Sequence, residues 1–587
     1  MEKIKKHYFW FLPALLSAII YFNSLKGTFF WDDRAVIFDN PLIKSWTKSL
    51  STFLPHYWLK VHPGIKGQYR PLRNITFTFD YSLWHNNPFG YHLTNYLLNI
   101  FVVILVSFVA KDIFSSENVA LISATLFAIH PAHIENVNYI KNRSDILCLL
   151  FILLSFYLFM KNRNIFSILS YILALLAKEF AVMFPAVLLI YVFMMKKNRQ
   201  TILHLIPYFI FAGLFLIMKF TILKVTAENK IFDPNVANVN HFWLIISTFV
   251  NYLYLLFFPV KLAVDRTMTI YTTFFDWRII ILFAFFIIAV VLLPRTNFKT
   301  QYYFAISWLV LFLLPVSNIF VLSGRVFAEQ RLYVPSFGGV ILISGLIKEL
   351  SDKDVLFSRI LHIFILGLVI FFGLKIINRN YLWQDEILLW QQALKDDPRN
   401  LRALDNLAAA LFRKGEFEQA EKIYEKITTL WPTNDGAYTN LGIIAMNRKD
   451  LDKAEKCFIK AVEISGGDAQ SYTNLGSIYL LKGDKDKAKQ FYEQAIRLDP
   501  DAAQVYTNLG IIYVSEKKFK EAAAMFKKAV KLNPDLIEAR LNLASVYRDL
   551  GLEYEAKQEE KEANLRIKTG AVAPQYNPEV IIKWSQK

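Results

Sequence analysis

The sequence predicts an all-α protein in two parts. A polytopic helical membrane domain of about eleven spans occupies residues 1–378, followed by an α-solenoid at 379–570 and a short tail at 571–587. Three observations carry this reading. Residues 1–378 form one apolar run after another, several with almost no charge and close to the ~20 residues that a spanning helix needs. Residues 379–587 are instead charged and amphipathic. Within them Asn-Leu recurs at Asn406, Asn440, Asn474, Asn508 and Asn542, in steps of 34 residues. The bulk values, 55% hydrophobic and 16% aromatic, average over this division.

Candidate spans lie near 8–23, 91–110, 118–131, 145–160, 164–177, 180–195, 201–220, 278–294, 301–322, 334–348 and 360–377. Short basic loops orient them. Lys161/Arg163, Lys196/Lys197/Arg199, Arg295/Lys299 and Lys348/Lys353/Arg359 are expected on the cytoplasmic side. Residues 241–260 are apolar enough to cross, but a crossing there would move Arg295 and Lys299 outside, so they read as re-entrant or interfacial. The basic N-terminus, Met1 to His7, runs into an apolar stretch with no small-x-small cleavage site, and is read as an uncleaved first span starting inside. An odd number of spans then places the solenoid outside, in a periplasm or lumen. The long, aromatic-rich loop 24–90 is expected along the outer membrane surface, and long ordered loops commonly carry function.

The formal charge of +17 is accounted for largely by loop lysines and arginines, and no nucleic-acid-binding signature accompanies it. Only Cys148 and Cys457 are present, one in an apolar run and one in the repeats, so no cysteine metal site can form and a mutual disulfide is not expected.

The repeats read Tyr-Thr-Asn-Leu-Gly at Tyr438–Gly442, Tyr472–Gly476 and Tyr506–Gly510. Small residues follow at Ala420, Ala454, Ala488, Ala522 and Ala556, and prolines close units at Pro432, Pro500 and Pro534. This is the tetratricopeptide (TPR) pattern. Small residues let paired helices approach, and Phe458, Tyr492 and Phe526 wedge between them. An additional second helix with Trp390, Ala393 and Pro398 precedes the first full repeat and is expected to seal the array onto the last span. Such solenoids build concave binding surfaces. A protein or peptide ligand is the expected partner, and a passive spacer the alternative.

Ionisable groups in or beside spans are site candidates by default. Asp32-Asp33 follow the first span and could supply a general base with polar support; an ordinary interfacial loop is the other reading. His130-Pro131-Ala132-His133-Ile134-Glu135 could bind a metal, but Pro131 breaks the helix that would align the ligands. A polar loop lining the site is favoured, and no cofactor is expected. Asn142-Arg143-Ser144-Asp145 opens the next span. Lys178-Glu179 lie between two apolar runs. Arg325, Glu329, Arg331 and Tyr333 lie between the last two spans but one, where an arginine could grip a phosphate or form a surface ion pair. Together they suit a reaction between an anionic membrane lipid and a polar acceptor outside.

Several of these motifs occur in order. Trp31-Asp32-Asp33, Tyr69-Arg70-Pro71-Leu72, Asn87-Pro88-Phe89-Gly90-Tyr91-His92-Leu93-Thr94-Asn95, His130–Glu135, Arg143-Ser144-Asp145-Ile146-Leu147, Ala177-Lys178-Glu179 and Arg331-Leu332-Tyr333-Val334-Pro335-Ser336 precede the repeats. On these motifs the chain resembles the transmembrane and TPR-containing O-mannosyltransferases, which are GT-C type glycosyltransferases. The resemblance implies inverting transfer of a monosaccharide from a polyprenyl phosphate to Ser or Thr hydroxyls of an extracytoplasmic protein. It makes Asp32 the expected base, with Asp33 beside it. Arg331, Arg325 and Arg143 are then expected at the donor phosphate, and Glu135, His133, Lys178, Glu179, Arg70 and Tyr333 at the sugar or acceptor. The TPR groove is expected to hold the acceptor. A composition rich in Lys, Ile, Phe and Asn points to a bacterial cytoplasmic membrane, with the endoplasmic reticulum as the eukaryotic counterpart. The alternatives are a GT-C enzyme acting on a glycolipid or polysaccharide, and a non-catalytic membrane-anchored scaffold.

Overall fold

The computed structural model describes residues 7–568 except 30, 39, 41, 56–68, 196–198, 224–238, 266, 281–283, 285–295, 297 and 320–324. The described residues are helical, with no strand among them. The chain divides into two compact units, Met1–Asn400 and Leu401–Lys587.

In the first unit the longer helices are α1 (Tyr8–Tyr21), α2 (Pro71–Trp84), α3 (Pro88–Phe114), α4 (Glu117–Ala128), α5 (Arg143–Met160), α6 (Asn164–Ala177), α7 (Phe184–Met194) and α8 (Ile206–Ile217). They continue with α9 (His241–Phe257), α10 (Lys299–Leu313), α11 (Tyr333–Ser351), α12 (Val355–Leu382) and α13 (Glu386–Asp396). Among the described residues, six helical stretches are long and apolar enough to cross a membrane: Tyr8–Lys26, Pro88–Phe114, Ile140–Met160, Thr201–Ile222, Glu329–Ser351 and Val355–Leu382. Four shorter apolar helices accompany them, including α9, the segment expected to be re-entrant or interfacial. The expected span 278–294 lies almost wholly outside the described residues, as do the tail 571–587 and Lys196, Lys197 and Arg295 of the orienting loops. The chain is a multi-pass integral membrane protein.

Local chemistry sets the helix ends. The Asn87 side chain accepts from the Phe89 N–H at 3.1 Å and starts α3, and Asp354 does the same for Leu356 at 2.7 Å at the start of α12. Packing is close where side chains are small. A Cβ on Gly338 of α11 would lie 2.5 Å from the Ala305 carbonyl of α10, so these two helices meet backbone to backbone. Between α5 and α6, Ser155 and Ser167 each donate to the other's carbonyl, at 2.8 and 2.6 Å, which satisfies hydroxyls where no water reaches. Phe364, Leu366 and Phe371 of α12 are more than half exposed. Such a face suits lipid and would be a liability in water.

The division between units falls after Asn400, further along than the expected 378. Helix α13 belongs to the first unit, where Trp390 packs edge-on against Trp31 with ring centroids 5.0 Å apart.

In the second unit ten helices form five antiparallel pairs: α14 (Leu401–Lys414) with α15 (Phe417–Leu430), α16 (Asp435–Asn447) with α17 (Leu451–Ser465), α18 (Ala469–Leu481) with α19 (Lys485–Leu498), α20 (Ala503–Ser515) with α21 (Phe519–Leu532), and α22 (Ile537–Asp549) with α23 (Glu553–Lys568). The repeat grammar has a direct steric reading. A Cβ on Gly442, Gly476 or Gly510 would come within 2.6, 2.5 and 2.6 Å of the rings of Phe458, Tyr492 and Phe526. The alanines at 420, 454, 488, 522 and 556 are fully buried.

Candidate active site

The site begins at the end of the first span. After α1 the chain makes a 3-10 turn at Phe22–Lys26 and reaches Trp31, whose backbone is left-handed with φ 55°. That conformation costs a non-glycine residue about 1–3 kcal/mol and is held by its surroundings. The Trp31 ring stacks on Tyr139 at 5.3 Å, the Trp31 backbone N–H donates to Glu386 Oε1 at 3.2 Å, and the Arg325 guanidinium sits 5.7 Å from the ring centroid.

The turn sends the next two carboxylates into different environments. Asp32 keeps 42% of its side chain exposed and is paired through Oδ2 with the Lys141 ammonium, while its N–H donates to the Tyr139 hydroxyl at 3.2 Å. Asp33 is fully buried; its Oδ1 accepts from the Lys141 N–H at 2.8 Å and its Oδ2 has no partner. Burial pushes the Asp33 carboxyl well above the usual carboxylate range, against the pull of the Lys141 N–H. Asp32 is therefore the carboxylate that an incoming hydroxyl can reach, and Asp33 ties its loop to the turn preceding α5.

Cations surround this pair. Arg70 caps α2 and lies 3.5 Å from Glu179. One turn on, Arg73 is 3% exposed and neither Nε nor Nη1 has a partner. Burial and the repulsion of Arg70 hold its guanidinium down at about 9.

Other expected residues are committed to the fold. Arg143, expected at the donor phosphate, is fully buried and pairs with Asp80 at 2.6 Å. It also donates to Asn95 Oδ1 at 2.6 Å and to the Tyr91 carbonyl at 2.8 Å. Its donors are turned into the helix packing, away from a ligand. Lys178 is paired with Asp145 at 2.5 Å. His133 places its two ring nitrogens 3.0 Å from the Phe127 carbonyl and 3.0 Å from Ser336 Oγ. Tyr333 is buried and donates to Asn99 Oδ1 at 2.7 Å. Among the described residues no three His, Cys, Asp or Glu side chains converge as metal ligands.

Arg325, Arg331 and Glu135 form a second polar cluster, joined to the first through Trp31. Arg325 pairs with Glu135 at 3.3 Å and Asp265 at 3.0 Å, and Arg331 donates to the Arg325 carbonyl at 2.8 Å. Nearby, Arg379 pairs with Glu329 at 3.3 Å. Burial raises the Glu135 carboxyl to about 7 despite Arg325. A cavity of about 1040 Å³ adjoins Asp265 and is lined also by Lys261, Lys375, Arg379, Asp396 and Asp397.

Comparison with known proteins finds the repeats and several curated relatives. Tetratricopeptide-repeat models match residues 387–435, 435–501 and 503–536. Protein O-mannosyl-transferase F38B6.6 of Caenorhabditis elegans is 28% identical over 71% of this chain and 62% of its own length. The mouse protein O-mannosyl-transferase TMTC3 is 27% identical over 72% of this chain and 51% of its own length. Xenopus laevis tmtc2, of the same description, is 26% identical over 70% of this chain and 61% of its own length. The curated relatives are protein O-mannosyl-transferases. The chain spans less than two thirds of the length of each. A crystal structure of MamA also matches, with 26% identity, a TM-score of 0.25, and coverage of 28% of this chain and 96% of that one.

Of the residues expected at the site, the chain brings together Asp32 and Asp33 at the end of the first span and pairs Arg70 with Glu179. Sequence reading missed Lys141, Tyr139 and Arg73. Tyr139 and Lys141 sit between the two quoted motifs His130–Glu135 and Arg143–Leu147, and Arg73 lies one helical turn beyond Arg70. Helical spacing from a motif arginine was the available signal for Arg73.

Proposed function

We propose that the chain is a membrane glycosyltransferase that moves a monosaccharide from a polyprenyl phosphate to Ser or Thr hydroxyls of a protein outside the membrane. The observation that carries this is the half-exposed Asp32 carboxylate, paired with Lys141 at the end of the first span while the Asp32 backbone N–H donates to Tyr139, in a chain related to protein O-mannosyl-transferases. The acceptor hydroxyl oxygen attacks C1 of the sugar from the face opposite the phosphate. The bond from C1 to the phosphate oxygen breaks with its electron pair going to that oxygen, and Asp32 takes the hydroxyl proton. The configuration at C1 inverts. The TPR array holds the acceptor polypeptide and raises its local concentration. The N-terminus lies inside and both site and array outside.

Mannose, the sugar in the relatives' names, is the first donor to test. The full-length protein in detergent receives polyprenyl-phosphate sugars labelled in the sugar, with acceptor protein and lipid present. Label is expected in protein, and Asp32→Asn is expected to lower it by about 10²–10⁴-fold while melting as the wild type does. Label in lipid or glycan instead would reassign the acceptor. Intact donors across a broad panel would overturn the enzyme reading in favour of a TPR scaffold.

A further inference from the structure

Arg73 stands out among the buried charges of the first unit. Arg143, Arg325, Arg331 and Arg379 all donate to carboxylates or carbonyls. Arg73, at 3% exposure, is buried where Arg325, Arg331 and Arg379 are only part-buried, yet among the described residues its Nε and Nη1 have no partner and it forms no ion pair; its described aromatic contact is the Phe77 ring at 5.7 Å. A buried charge without a partner is strongly unfavourable unless something else supplies the counter-charge.

The surroundings indicate what that is. Three cations, Arg70, Arg73 and Lys141, lie close enough to act on one another's charge. The nearby carboxylates are spoken for: Asp32 pairs with Lys141, Glu179 with Arg70, and Asp33 Oδ1 accepts from the Lys141 N–H. Among the described residues no carboxylate is paired with the Arg73 guanidinium. Both polar atoms of the buried Asn74 amide, the residue after Arg73, are unpartnered too, as is Arg70 Nε. The 1040 Å³ cavity differs: Arg379 pairs with Glu329 and Asp265 with Arg325, and Lys261 and Lys375 remain beside Asp396 and Asp397.

We propose that Arg73, supported by Arg70 and Asn74, seats the phosphate of a prenyl-phosphate ligand beside Asp32. This rests on the glycosyltransferase reading for the sugar but not for the anion. A phosphodiester brings a negative charge to this guanidinium. When the bond from C1 to the phosphate oxygen breaks, that oxygen gains the electron pair and a second negative charge appears, next to a guanidinium already in place; the proton leaves the other way, to Asp32. Stabilisation that grows as the bond breaks accelerates the step.

The test measures binding to the full-length protein in detergent with three probes: a short polyprenyl phosphate, the matching prenol and inorganic phosphate. The wild type is expected to prefer the prenyl phosphate, less so as salt rises. Arg73→Gln should weaken it by about tenfold or more, and Arg73→Lys should recover part of the loss. A folded Arg73→Gln that binds prenyl phosphate like the wild type overturns the proposal. So does inorganic phosphate binding as tightly as the lipid, which would mark a free-anion site. If Arg73→Gln does not fold, hydrogen exchange in the wild type decides. Prenyl phosphate should slow exchange over residues 70–76, and no protection there overturns the assignment. Arg73-dependent binding without sugar transfer from any donor would sink the transferase reading and leave this site standing. Asp32-dependent transfer with binding indifferent to Arg73 would do the reverse.

Discussion

Asp32 and Asp33 are neighbours in the chain with opposite surroundings, one half-open to solvent and paired with Lys141, the other sealed. The same contrast between a ligand-facing and a structural charge separates Arg73 from Arg143. Replacing Arg143 with Met would strand the buried Asp80, whose side chain is 1% exposed, a loss of about 3–5 kcal/mol. We expect Arg143→Met to lower the melting temperature sharply, with the surviving folded fraction keeping the wild-type donor KM. Glu135 gives a pH signature. Its carboxyl is raised from 4.5 to about 7 by burial, opposed by Arg325. Between those values the folded protein holds a proton that the unfolded chain has released, so this group's contribution to stability falls as pH rises through the window. Melting curves from pH 4.5 to 7.5 should show a steeper decline for the wild type than for Glu135→Gln. Parallel curves would contradict this account of Glu135.

At the scale of elements, the two units use small residues to the same end. Gly338 lets α10 and α11 touch where lipid offers no hydrophobic drive for association. In the repeats, Gly476 lets α18 lie against Tyr492 of α19. A valine at Gly476 would place carbon 2.5 Å from that ring, an overpacking worth about 1–3 kcal/mol. Because repeats are stabilised by their neighbours, Gly476→Val in the full chain should speed amide exchange in α18 and α19, spreading to the adjoining pairs and sparing α3 and α5. Exchange confined to fraying at the ends of the array would show that the glycine is not needed for packing.

At the scale of the whole molecule, the proposed orientation puts transfer chemistry and repeats on one side of the membrane. The two cysteines report on it. Cys148 is buried, and Cys457 is partly accessible in the array. A membrane-impermeant maleimide added to intact cells is expected to label Cys457 and to lose its target in Cys457→Ser. Labelling only after the membrane is opened would place the repeats inside and remove them as an acceptor site for external proteins.

The class of the protein was readable from local pattern. Apolar length marks a spanning helix, because a bilayer leaves backbone groups no partner but their own helix, and a 34-residue period marks stacked helix pairs wherever it occurs. The Asp32-Asp33 pair was likewise visible as carboxylates at the end of a span. Tertiary structure alone decided which charges are available. Arg143 looked like a phosphate ligand until Asp80 and Asn95, far from it in sequence, were found on its guanidinium. His133, expected at the sugar or acceptor, was found with Ser336 on its ring. Arg73 drew no notice until folding buried it without a counter-ion. Hydrophobic periodicity is a property of neighbours along the chain. The state of an ion depends on the charges and water around it in space, and only the folded chain brings those together.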